Sequence, residues 1–197
     1  QKTQKDRKKE FLSKKNSIVI IGGRLPMYLS GKRYDNLEGG REEREWHTFK
    51  NDSNEDISEG VKKSILDLLN NNLKVILVYP VPPVGWFVPK KILDTYIWNK
   101  DNFENFLSLN PITTSYDIYM QYSKKSFETL DQIKHPNLYR VFPHKLLCNN
   151  QIKNRCVTHD DENIFYTDNN HLSKTAGIKV RNLIIKRINE IESRSNN

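Results

Sequence analysis

Short apolar runs alternate with amphipathic stretches along this chain, and the alternation predicts its secondary structure. The predicted strands are residues 18–21, 74–79 and 138–142. The first is a β-branched run ended by Gly22 and Gly23, and each of the others stops at a proline. The unbroken run of residues 18–21 is typical of a strand buried on both faces of a parallel sheet, and residues 74–79 are predicted to form a second buried strand.

Between and after these runs, apolar residues recur with the 3.6-residue period of a helix. The predicted helices are a leading surface helix over residues 1–16 and further helices over 56–70, 89–96, 115–133 and 174–194. Asp56 and Ser173 stand where the N-caps of two of them are expected. Glycines and prolines interrupt residues 24–50 and 80–85, which are therefore predicted loops.

This order of elements predicts an α/β fold with three layers, α/β/α, in which helices cover both faces of a parallel sheet. A length of 197 residues suits a single domain over 1–197. Three strands are few for such a sheet. The long loop after the first strand lies where α/β proteins bind ligands, at the carboxyl end of the sheet.

Composition narrows the function classes. The chain contains no run of 18 apolar residues and no apolar segment typical of a signal peptide, and it lacks an initiator Met, as a segment of a longer protein would. The net charge of +8 is concentrated near both ends. Such a charge suits nucleic acid, an anionic membrane surface, an anionic polymer or merely solvated helix faces. No nucleic-acid-binding motif accompanies it, so no nucleic-acid partner is predicted.

The main candidate for chemistry is the pair Asp168 and His171, three residues apart just before the last predicted helix. An imidazole can take a proton from a nucleophile, and a carboxylate against its other nitrogen fixes its tautomer and orientation. The same spacing also arises from helix capping and solvated loops. The other four histidines fall in loop-like sequence and are expected to be exposed or hydrogen-bonded.

Two further groups of residues are candidates. Gly22, Gly23 and Arg24 follow a strand, where they form either an oxyanion-binding or substrate-binding turn or a simple tight turn. Cys148 and Cys156 are either a disulfide or two unrelated thiols. No second pair of cysteines or histidines at ligand spacing accompanies them, so no metal is predicted. The sequence also has no phosphate loop and no Gly-x-Gly-x-x-Gly motif, and no cofactor is predicted.

Three stretches resemble the SGNH (GDSL-like) hydrolase family, whose fold is flavodoxin-like. The closest variety is the one fused to membrane acyltransferase-family-3 proteins that O-acetylate bacterial surface glycans. Residues 18–28 resemble the strand and loop in which that variety carries an Arg, and residues 75–83 resemble the next strand with its Pro-x-Pro exit. The most specific block is Asp168-Asn-Asn-His-Leu-Ser, preceded by a cysteine pair.

The resemblance implies a role for each candidate. His171 is the expected general base and Asp168 its orienting carboxylate, while Gly22, Gly23 and Arg24 fall on the oxyanion side. It favours the disulfide for Cys148 and Cys156. The Gly-Asp-Ser block of the family is absent, so the chain is expected to begin after the first strands, with the nucleophilic serine outside it and no activity of its own.

The implied function is acyl transfer, with acetyl expected, to a hydroxyl of a cell-surface glycan such as lipopolysaccharide or peptidoglycan. The implied partners are that acceptor, an acyl donor and a membrane acyltransferase domain of the same parent protein, at the periplasmic face of the inner membrane. Three alternatives remain: an SGNH esterase, a non-catalytic glycan-binding relative, and a cytosolic nucleic-acid-binding module.

Overall fold

The computed structural model describes residues 4–14, 17–42, 54–99 and 103–195. In chain order the elements are α1 (Gln4–Ser13), β1 (Ile18–Ile21), α2 (Leu25–Ser30), α3 (Asn54–Asn70), β2 (Lys74–Val78), α4 (Val88–Asn99), α5 (Phe103–Leu109), β3 (Thr113–Ser115), α6 (Tyr116–Asp131), β4 (Leu138–Val141), α7 (His144–Leu147), β5 (Arg155–Val157) and α8 (Lys174–Ser195). Parts of the predicted leading helix (1–3, 15–16) and loop (43–50) lie outside the described residues.

The three predicted strands form one parallel sheet in the order β1-β2-β4. Ile20 is opposite Ile76, and Leu77 is opposite Arg140. Parallel neighbours need a crossover connection, and helices supply it after β1 and again after β2. The predicted parallel α/β fold is thereby confirmed.

Helices cover both faces of this sheet because β2 is apolar on both sides. Leu77 packs with Leu69 of α3 and Leu130 of α6 on one face. The adjacent residue, Ile76, points the other way and packs with Ile191 of α8. Successive residues of one strand thus serve two cores, which is the three-layer arrangement that the sequence predicts.

The prediction that residues 18–21 are buried on both faces is wrong for β1. Within the described residues β1 pairs with β2 alone, so it is an edge strand. Val19 and Ile21 contribute to the core shared with α3, but Ile20, on the opposite face, is 48% exposed. The apolar run therefore predicts this strand correctly but not its burial, because the sequence does not tell whether a second strand or a helix covers each side of it.

Helix boundaries differ from prediction at several points. α3 begins at Asn54, so Asp56 lies inside the helix rather than at its N-cap. α2 occupies part of the predicted loop 24–50. The predicted cap Ser173 does accept a hydrogen bond from Ala176 N, and residues 80–85 contain no helix or strand, as their prolines require.

A second unit, invisible to the sequence patterns, lies beside the sheet. β3 and β5 pair antiparallel, and a disulfide joins Cys148 to Cys156 next to them. The disulfide is buried in a separate apolar core with Tyr166 and Val84. Because Val84 follows β2, this core supports the loops at the carboxyl end of the parallel sheet.

Candidate functional site

The Asp168–His171 pair lies in a tight loop before α8. The loop is closed by an antiparallel bridge between Tyr166 and Leu172 and by donation from Thr167 N to His171 O at 2.9 Å. Asp168 Oδ1 accepts from the backbone N of Asn170 (2.8 Å) and of His171 (2.7 Å). This turn leaves Oδ2 free to face the imidazole.

The imidazole of His171 is oriented by Asp168. Nδ1 lies 2.6 Å from Oδ2, and the two side chains are 70% and 31% exposed, respectively. Burial raises the pKa of Asp168, but hydrogen bonds from Asn170 and His171 outweigh it, so the pKa falls below its ordinary value. The carboxylate is therefore ionised near neutral pH and accepts only, which makes Nδ1 of His171 the donor.

His171 lines a pocket of about 270 Å³ at the carboxyl end of the sheet. The described lining residues are Gly23, Arg24, Pro26, Met27, Glu42, Val78, Tyr79, Pro80, Val81, Pro83, Tyr122, Asn170, His171 and Leu172. Most of these residues lie at or after the ends of β1 and β2 or in the loop before α8, and Tyr122 of α6 completes the lining, so the topology brings them together. We call the part formed by residues 168–172 the histidine side, and the part formed by Gly23, Arg24 and Glu42 the arginine side.

On the arginine side, a buried carboxylate holds a partly exposed guanidinium. Arg24 Nη2 donates to Glu42 Oε1 at 2.6 Å and to Oε2 at 2.5 Å. The Glu42 side chain is 1% exposed, whereas that of Arg24 is 42% exposed. The ion pair therefore has its anion in the protein interior and its cation at the pocket surface.

Asn170 connects the two sides. Its backbone N donates to Asp168, and its side-chain Nδ2 donates to Glu42 Oε1 at 3.2 Å. One residue thus contacts both carboxylates, although Glu42 is distant from it along the chain. The oxygen of the same amide, Asn170 Oδ1, is buried without a hydrogen-bond partner among the described residues.

Hydrogen bonds from the neighbouring loops hold the histidine side in place. Val84 N and Gly85 N both donate to Asn169 O, at 2.9 and 3.2 Å. Asn36, fully buried, in turn donates from Nδ2 to Val84 O at 2.9 Å. A side chain at Gly85 would approach Gly40 O to 2.5 Å, and the φ of +80° there also suits glycine. These contacts lock the loop of residues 35–42 against the loop of residues 80–88.

The structure brings together four of the predicted site residues. Gly23, Arg24 and His171 line the pocket, and Asp168 lies behind His171. Gly22 does not line it: a Cβ there would come within 3.1 Å of Val78 Cβ, so this glycine permits close packing of β1 on β2.

Cys148 and Cys156 lie outside the pocket lining. They form the disulfide that the family resemblance implied, with an S–S distance of 2.02 Å. Since the bridge is part of a buried core and not of the pocket, its effect on the site is through the loops that it supports.

Sequence reasoning missed Glu42, Asn170 and Asn36. Glu42 follows Gly39-Gly40-Arg41 in a strongly charged stretch, which reads as solvated surface. Nothing in that stretch indicates that Glu42 is buried, because the hydrogen bonds that its carboxylate accepts come from Arg24 and Asn170, which lie in other loops. Asn170 stands inside the Asp168–His171 motif, but its position there gave no indication of a contact to Glu42.

Among the described residues, no cluster of three or more His, Cys, Asp or Glu side chains could hold a metal ion. Within the same residues, no helix is both long and apolar enough to cross a bilayer. The pocket lining described above includes no Ser, Thr or Cys side chain. The site therefore presents a base, its carboxylate and a guanidinium, and the described part of the chain places no serine, threonine or cysteine nucleophile in its lining.

A solved structure has a similar fold. It is the periplasmic domain of a lipopolysaccharide acetyltransferase from Salmonella ser. Paratyphi A, with a TM-score of 0.58 and 14% sequence identity. The similarity covers 94% of this chain and 61% of that one, so the present chain spans about three fifths of that domain's length. No curated protein matches the chain.

The family model described as "SGNH domain (fused to AT3 domains)" matches residues 1–186. The match covers most of the chain, including every pocket residue described above. This chain belongs to the SGNH domain family whose members are fused to AT3 domains.

Proposed function

We propose that this chain carries the base half of a serine acyl-transfer site and works in the transfer of an acyl group, with acetyl the expected one, to a glycan hydroxyl. The observation that carries the proposal is the geometry of His171. Its Nδ1 is held by the ionised Asp168 at 2.6 Å, and the residue lines a pocket that Arg24 also lines. That is the arrangement in which an imidazole removes a proton from a hydroxyl.

In this mechanism a serine Oγ attacks the carbonyl carbon of the acyl donor while His171 Nε2 takes its proton. Asp168 stabilises the imidazolium that forms. The tetrahedral intermediate carries an oxyanion, which Arg24 and the backbone N–H groups near Gly23 stabilise. Collapse expels the donor's leaving group, which receives the proton from His171. A glycan hydroxyl then attacks the acyl-serine by the same steps in reverse order.

The serine is proposed to come from a segment outside these 197 residues. Among the described residues, the pocket lining has no serine, threonine or cysteine. Ser173 caps α8, and Ser13 Oγ donates to Glu10 O. The side chains of β1 are apolar, and within the described residues the backbone groups on its outer edge pair with no other strand. A strand added there in parallel would end beside Gly22 and Gly23, and so at the mouth of the pocket.

The family and its neighbour support the substrate class and the location. Family members are fused to AT3 domains, and the structural neighbour is named as a periplasmic domain of a lipopolysaccharide acetyltransferase. The proposed partners are therefore an AT3 membrane acyltransferase domain, an acyl donor and a cell-surface glycan acceptor, at the periplasmic face of the inner membrane. A disulfide between Cys148 and Cys156 suits such an oxidising compartment and argues against a cytosolic nucleic-acid-binding module.

The test is His171→Ala in the full-length protein that contains this chain, with acetylation of the isolated glycan measured by mass spectrometry. Loss of the base is expected to lower the transfer rate by roughly 10⁴-fold. His135→Ala is the matched control, because His135 accepts a local hydrogen bond from Asn137 N and lies outside the pocket.

Retained transfer in the His171→Ala protein would refute catalysis by this site and favour the non-catalytic glycan-binding relative. Free acetate released without glycan acetylation would identify an esterase, since water and a glycan hydroxyl attack the same acyl-serine.

A further inference from the structure

The carboxylate of Glu42 is the buried anion of the pocket. Its oxygens accept two hydrogen bonds from Arg24 Nη2 and one from Asn170 Nδ2. Burying a carboxylate is unfavourable unless donors replace its water, and these two residues supply them. The result is a fixed anchor point between the arginine side and the histidine side.

Arg24 has donors left after this pairing. A guanidinium carries five N–H groups, and both bonds to Glu42 use the same nitrogen, Nη2. No described residue accepts from Nε or Nη1 of Arg24. With a side chain 42% exposed at the pocket lining, these remaining N–H groups are accessible to a ligand.

The pairing also determines what kind of anion suits this guanidinium. Glu42 cancels the formal charge of Arg24 but leaves its N–H dipoles in place. A permanently charged group such as a phosphate gains little from a neutralised cation. A transient oxyanion needs donors that are already oriented before the charge develops. The arrangement therefore fits an acyl carbonyl oxygen better than an anionic substituent of the substrate.

We infer that Glu42 is a positioning residue for acyl transfer: it orients Arg24 so that the free N–H groups of the guanidinium stabilise the oxyanion. Through Asn170, which also donates to Asp168, the same carboxylate sets the arginine side relative to the base loop. This inference rests on the proposed function, because it assigns Glu42 a part in the same reaction.

The experiment is a double-mutant cycle in the full-length protein, with kcat and KM measured for glycan acetylation. Arg24→Ala is expected to lower kcat by about 10²–10³-fold, the effect of losing an oxyanion donor. Glu42→Gln keeps the volume of the side chain but removes its charge, and it is expected to lower kcat about tenfold with KM unchanged. Adding Glu42→Gln to Arg24→Ala is expected to lower kcat no further, because the glutamine oxygen can still accept the hydrogen bond from Asn170 Nδ2.

Chemical rescue separates positioning from a merely structural role. Arg24→Ala leaves space for a guanidinium ion beside Glu42. Guanidinium chloride at non-denaturing concentration is expected to restore part of kcat in Arg24→Ala, whereas sodium chloride at equal ionic strength does not. In the Arg24→Ala/Glu42→Gln protein the rescue is expected to be absent, because its anchor is gone.

Two variants serve as controls that distinguish misfolding from a specific loss of activity. Arg24→Lys keeps a cation beside Glu42, so it is expected to fold and still to lose kcat, since an ammonium lacks the planar fork of donors. Glu128→Gln, at an exposed position of α6, is the control for the Glu-to-Gln change and is expected to match the unmodified protein.

Multiplicative losses in the double variant, or equal guanidinium rescue with and without Glu42, would overturn the inference. An unaffected kcat in Glu42→Gln would overturn it as well. The proposed function fails by a different readout, which is unchanged acetylation in His171→Ala, and the inference would fall with it.

Discussion

The two sides of the pocket each contain a carboxylate paired with a cationic or basic group, but they are built in opposite ways. On the histidine side both partners come from one short loop, and the base, His171, is 70% exposed. On the arginine side Arg24 and Glu42 come from different loops, and the acid is 1% exposed. An exposed pair contributes little to stability, while breaking a buried one is costly. The histidine side is therefore expected to matter mainly for reactivity, and the arginine side also for the stability of the fold.

Of the two carboxylates, Asp168 on the histidine side is expected to give the larger effect on activity, in the variant Asp168→Asn. The amide keeps the shape of the side chain but cannot serve as an ionised acceptor for Nδ1–H, so His171 loses its tautomer and its orientation. The transfer rate is expected to fall by roughly 10³–10⁴-fold. The free energy of unfolding is expected to change by less than about 1 kcal/mol, as for an exposed pair.

Asp160→Asn is the matched control for this change. Asp160 also accepts backbone hydrogen bonds within a turn, from Glu162 N and Asn163 N, but it lies outside the pocket. Its substitution is expected to leave transfer unchanged. If Asp168→Asn instead lowered the free energy of unfolding by as much as it raised the activation free energy of transfer, the histidine side would be as important for stability as for activity, contrary to expectation.

The next effect concerns stability on the arginine side. Arg24→Ala leaves Glu42 buried without its main partner, at an expected cost of about 3 kcal/mol in the free energy of unfolding. Glu42→Ala leaves Arg24, which is 42% exposed and can be hydrated, so about 1 kcal/mol is expected. Urea unfolding of the two variants measures this asymmetry.

The double variant Arg24→Ala/Glu42→Gln provides the check on that explanation. It removes the stranded charge, so it is expected to be more stable than Arg24→Ala alone. A double variant that is less stable than either single one would show that packing of the side chains, and not the buried charge, determines the cost.

The smallest effect is the pH dependence of the histidine side. The folded-state pKa of Asp168 is lowered, so its contribution to stability is present above the ordinary aspartate pKa of about 3.9 and is lost as pH falls through the folded value. A difference of about 0.5 kcal/mol between the unmodified protein and Asp168→Asn is expected at pH 7. Urea titrations from pH 7 downward should show it decrease once the pH falls below the ordinary aspartate value, and a difference that does not decrease there would contradict the assignment.

The histidine side could be predicted from sequence because its contacts are local. Asp168 and His171 are three residues apart, and their hydrogen bonds form within one turn. The arginine side could not, since the partner of Arg24 is 18 residues away and lies in a charged stretch that looks solvated. Residue type and spacing do not encode burial that depends on several loops meeting.

The same division holds for the fold. β2 was predictable because an apolar run needs a core on either side, and β4 because a short, mainly apolar stretch ends at a proline. β3 and β5 were not: β3 reads Thr-Thr-Ser, and the strand with which it pairs has only three residues and begins 40 positions after β3 ends. Their pairing depends on the buried disulfide and on Arg155, which donates to Glu38 and Thr113. No local pattern reports such a long-range arrangement.

The exposed edge of β1 has a consequence for handling this polypeptide. Four consecutive β-branched residues with no charge and no proline form a strand whose outer hydrogen-bonding groups have no described partner. Such an edge is a template for intermolecular strand pairing. A fragment with the boundaries of this chain is therefore expected to aggregate on expression, and replacing the half-exposed Ile20 by Lys is the substitution that should keep it soluble.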